Sequence, residues 1–71
     1  MISAAQCRAA RGLLNWTQAE LATAATVGVV TVRQFEAEKG EPRPATLTVL
    51  RQALEAAGIE FGEQDGVKRR A

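Results

Sequence analysis

The chain has no histidine and no tyrosine, and only one cysteine, one tryptophan and two prolines among its 71 residues. Each shortage removes a class of chemistry. Cys7 alone, with no imidazole to join it, cannot build the common zinc sites or a cysteine–histidine pair for nucleophilic attack. A lone thiol closes no internal disulfide, which favours a reducing compartment. There is no glycine-rich phosphate loop, and the acidic residues are scattered in a way that solvated helix faces and loops explain. The chain is therefore expected not to be an enzyme, to hold no metal and to need no cofactor. No apolar run is long enough for a signal peptide or a membrane span, so a cytoplasmic protein with no membrane partner is expected. Nine basic against eight acidic residues leave a net charge of +1, which neither requires nor opposes a polyanionic partner.

What is present is the balance of an ordinary soluble domain, 46% apolar and 24% charged. The length allows one small domain. A chain of this size buries only about 60% of the surface it exposes when unfolded. Stability should be marginal alone and gain from a partner or from dimerisation.

The stretch Thr17–Glu36 organises the rest. Thr17 and Glu20 form a capping box, and Trp16 and Leu21 have the spacing of a hydrophobic staple at the start of a helix. The pattern breaks at Thr26-Val27-Gly28 and resumes with Val32 and Phe35 on one face. Two short helices across a three-residue break make a helix-turn-helix. Before it, Ser3–Leu14 is rich in helix formers, with Cys7, Ala10 and Leu14 at core spacing, and Asn15 suits a left-handed helix end. After it, Lys39–Pro44 is a breaker-rich loop in which Pro44 can open a further helix. Leu47, Leu50, Leu54 and Ala57 give that helix an apolar stripe, which Gly58 closes. In the remainder Ile59 and Phe61 alternate with Glu60, Asp65-Gly66 signals a turn, and Val67 can pair back across it. The expected fold is all-α, four or five helices, with a helix-turn-helix domain over 3–58 and a short C-terminal hairpin or basic tail over 59–71.

Gln18-Ala19-Glu20-Leu21-Ala22, the break, and Val32-Arg33-Gln34-Phe35-Glu36 together resemble the Cro-like phage repressors, also called the xenobiotic-response-element family. The likeness runs from Gln6 to Gly58. It implies a sequence-specific duplex-DNA-binding regulator, a dimeric repressor on a palindromic operator. It implies that Gln18 bonds a phosphate or a base at the operator edge and that Val29, Val30, Arg33 and Gln34 face the major groove. Gly28 and Thr31, beside them, complete that part of the implied DNA-binding set. Lys39, Arg43 and Thr46 would meet the sugar-phosphate backbone, and Arg11 would pair internally with Glu36.

The chain departs from the family at three places. Thr26 stands where glycine is usual, although a β-branched residue suits a left-handed backbone poorly. Gly28 stands where serine or threonine usually caps the second helix. Val29 and Val30 stand where polar groups usually read base edges. These valines either pack on the domain's own core, meet a protein partner, or contact thymine methyl groups. Helical periodicity puts Arg33 and Gln34 outward with them, and these are side chains suited to guanine and adenine. The rival to a DNA-binding homodimer is a protein-interaction module of the antitoxin or antiactivator type that uses the same helix-turn-helix.

Overall fold

The computed structural model describes residues 1–40 and 42–70. Four helices are followed by one antiparallel strand pair: α1 (Ala4–Leu14), α2 (Gln18–Ala25), α3 (Val29–Glu36), α4 (Pro44–Ala56), β1 (Ile59–Phe61) and β2 (Val67–Arg69). The all-α fold with a C-terminal hairpin is thus present, with four helices among the described residues.

Three of the four helices begin where the sequence offers a start signal. Thr17 and Glu20 form the reciprocal capping box on α2. Ser3 and Gln6 form a second one on α1, and Pro44 occupies the first turn of α4. Three of the ends share one device. The chain turns back through a left-handed residue, and two amides close on earlier carbonyls in the Schellman pattern. At α1 the left-handed residue is Asn15, with Trp16 N–H bonded to Arg11 O. At α2 it is Thr26, with Val27 N–H bonded to Ala22 O, and at α3 it is Glu38, with Lys39 N–H bonded to Gln34 O. Thr26 sits at φ 58°, so the misfit anticipated for a β-branched residue is built into the turn between α2 and α3.

The core draws on all four helices and on β1. Cys7 and Ala10 of α1, Leu21 of α2, Val32 of α3 and Leu50 and Leu54 of α4 are all fully buried. Leu14 and Leu47 lie half-buried at its edge, as does Trp16. A mostly buried Trp16 ring is the natural reading of a staple. It is half-buried because it lies in the linker just outside α2, with one side on the core and the other on the surface.

The C-terminal hairpin belongs to the same core. Ile59 is only 1% exposed. Register pairs Ile59 with Arg69, Glu60 with Lys68 and Phe61 with Val67. Gln6 reaches from α1 to the hairpin turn, where its Nε2 donates to both Gly62 O (3.2 Å) and Gly66 O (3.1 Å). The basic run points at helix ends: Arg69 donates to Leu13 O at the end of α1 and Arg70 to Glu55 O near the end of α4. Such contacts satisfy terminal carbonyls and oppose the helix dipole.

Candidate nucleic-acid interface

Helix α3 has an inner and an outer side. Val32, Phe35 and Glu36 are buried, whereas Val30, Arg33 and Gln34 are exposed. Val29 does not join them. It is half-buried and packs on the core, because it lies three residues before Val32 and seven before Glu36, on the inward-leaning side of a 3.6-residue repeat. The expectation of two outward valines is corrected to one. Thr31 is half-buried at the other border. The N-cap of α3 is Gly28, and no side chain bonds to the helix start there.

Thr31 and Gln34 line a cleft of about 470 Å³ together with Lys39, Arg43 and Thr46. The fold therefore brings five of the anticipated residues to one concavity between α3, the following loop and the first turn of α4. Gly40, at φ 97°, turns the chain beneath it. Gln18 lies apart from that cleft and is committed inward: its Nε2 donates to Glu36 Oε1 at 3.1 Å.

Glu36 ties this surface to the scaffold. Its carboxylate, 3% exposed, takes Arg11 Nη2 on Oε1 at 2.6 Å and Arg11 Nε on Oε2 at 2.6 Å. The Cys7 thiol donates to Oε2 at 3.2 Å, and the Arg8 guanidinium donates to the backbone carbonyl of Glu36. Arg11 also holds Trp16 O at 2.9 Å. Burial pushes the Glu36 carboxyl up. The hydrogen bonds from Arg11, Gln18 and Cys7, with the charge of Arg11, outweigh burial and hold it below its ordinary value. The same contact raises Arg11. Burial, then the bond to Glu36, pushes the Cys7 thiol far up, so it stays protonated and remains a donor.

Sequence reasoning missed Arg8, Cys7 and Gln6 in these roles. Gln6 was findable, because Ser3-x-x-Gln6 is itself a capping-box spacing. Arg8 and Cys7 had no such signal, since their partner lies on another helix.

The distribution of charge completes the picture. Six of the nine basic side chains have partners inside the protein: Arg8 and Arg11 on Glu36, Arg51 on Glu55, Lys68 on Glu60, and Arg69 and Arg70 on helix carbonyls. Among the described residues, the side chains of Arg33, Lys39 and Arg43 make neither a salt bridge nor a hydrogen bond. All three lie on α3 or the loop after it.

Comparison with known families matches residues 8–61 to the helix-turn-helix of Cro/C1 type. The chain belongs to this helix-turn-helix family. No curated protein matches it. As a member, the helix-turn-helix protein is a DNA-binding regulator. Among its described residues no helix is long and apolar enough to cross a membrane.

Proposed function

We propose that this helix-turn-helix protein is a sequence-specific transcriptional repressor that lays α3 in the major groove. Arg33 and Gln34 read base edges, while Lys39, Arg43 and Thr46 hold the flanking phosphates across the cleft that they line with Thr31. The observation that carries the reading is the segregation of charge. Among the described residues, the cations whose side chains lack internal partners all lie on α3 or the loop after it. Gly28 leaves the start of α3 open to a phosphate, and Gln18, the first residue of α2, has its amide nitrogen held by Glu36 and its amide oxygen to offer at the operator edge.

Three cations make a small electrostatic footprint, so we propose that the functional unit is a two-fold dimer on a palindromic site, acting in the cytoplasm. A protein-interaction module is the second reading, and the exposure of Val30 is what favours it. Titration of random duplex DNA across a salt series separates the two. Each neutralised phosphate contributes a slope of about −0.9 in log affinity against log salt. Three side chains give a slope of about −3, and a dimer about twice that. A flat salt response, or no binding at low salt, contradicts the proposal.

A further inference from the structure

We infer that Val30 is a thymine reader: its exposed methyl groups meet the C5-methyl of a thymine lying within two base pairs of the guanine taken by Arg33. The inference rests on the DNA-binding reading above and narrows it to a class of half-site.

Val30 is 53% exposed, and the other large apolar side chains so exposed, Met1 and Leu13, lie outside α3 and its loop. With Val29 turned onto the core, Val30 stands alone. Its outward neighbours one turn on are Arg33 and Gln34, both exposed. A single valine in polar surroundings is far short of the few hundred Å² of contiguous apolar surface that marks a protein-docking patch. It does match the one apolar group displayed on base edges in the major groove, the thymine methyl. The position is right as well. Val30 is in the first turn of α3, and the N-terminal part of a recognition helix is what reaches base edges. A β-branched side chain in a helix holds one rotamer, so the methyl groups are presented without a further ordering cost.

The distance to the guanine follows from two repeats. Val30 and Arg33 are three residues apart, roughly 4.5 Å along the axis at about 1.5 Å per residue. Successive bases of a strand are about 3.4 Å apart. The two contacts therefore fall one to two base pairs from each other.

The test begins with selection of a binding site from a random duplex pool by the full chain. Each thymine of the selected site is then replaced singly by deoxyuridine, which lacks only the methyl. At one position per half-site the replacement should weaken binding about fourfold, the worth of one buried methyl. Val30→Ala should bind the thymine and uracil duplexes equally, and Val30→Thr, which keeps the branching and loses one methyl, should retain part of the difference. Thermal melting close to that of the unmutated protein shows that both variants fold, as the exposure of Val30 leads one to expect. If Val30→Ala keeps the full thymine preference, or the unmutated protein shows no uracil-sensitive position near a guanine, the inference is overturned while DNA binding stands. If no duplex is selected at low salt, the DNA-binding reading fails first, and Val30 passes to a protein partner.

Discussion

Glu36 is the residue at which α1, α2 and α3 are joined, through Arg11 and Cys7, Gln18 and its own backbone. Arg11→Ala strands a carboxylate that is 3% exposed, and removing one partner of a buried pair costs about 3–5 kcal/mol. Arg8→Ala removes only a charge-assisted bond to a carbonyl from an exposed side chain, which should cost about 1 kcal/mol. Urea melts of the two variants check the ranking, and equal losses would refute it. The same residue predicts a pH dependence. Its folded pKa lies below the ordinary 4.5, so its contribution is complete above pH 4.5 and lost as pH falls through the lower folded value. The stability gap between the unmutated protein and Glu36→Gln should therefore be constant near neutrality and narrow below pH 4.5. A gap unchanged down to pH 2 would contradict this. The Arg11–Glu36 contact was legible only through the family resemblance, because charged residues 25 positions apart carry no local sign of meeting. The donors Cys7 and Gln18 were not legible as donors for the same reason.

At the scale of elements, the helices were largely written in the sequence, since capping boxes, Pro44 and the apolar spacings are local signals. The hairpin was harder. Its alternation of Ile59, Glu60 and Phe61 suggested strands, yet nothing local shows that Gln6 clamps its turn or that Ile59 completes the helical core. This changes what truncation would do. A tail whose apolar residues bury only against a second copy could be cut after Gly58 to leave a folded monomer. Ile59 instead fills the domain's own interior, so Ile59→Ala should cost about 2–5 kcal/mol. For a chain this small that is a large part of the total stability. Denaturant melts of Ile59→Ala measure it, and a loss under about 0.5 kcal/mol would show that the hairpin is peripheral. Thr26 is the counterexample to local consistency. It holds the left-handed turn between α2 and α3 against its own preference, as its sequence position suggested.

Across the whole molecule, composition was a poor guide, because a net charge of +1 conceals where the charges are used. Among the described residues, six of nine cations bind the protein to itself, and the remaining three lie on α3 or the loop after it. That sorting could not be read from the sequence, where Arg8, Arg33 and Arg69 look alike; it requires knowing which carbonyls and carboxylates each can reach. On the proposed function, this surface binds duplex DNA with divided labour, bases to Arg33 and phosphates to Lys39. The most direct measurement is a titration of Arg33→Ala and Lys39→Ala against the selected operator and a scrambled duplex, each at several salt concentrations. Arg33→Ala should lose about 1–3 kcal/mol on the operator and relax the preference at one base in each half-site. Lys39→Ala should weaken both duplexes alike and reduce the salt slope by about one per domain. Equal losses by both variants on both duplexes would contradict the claim.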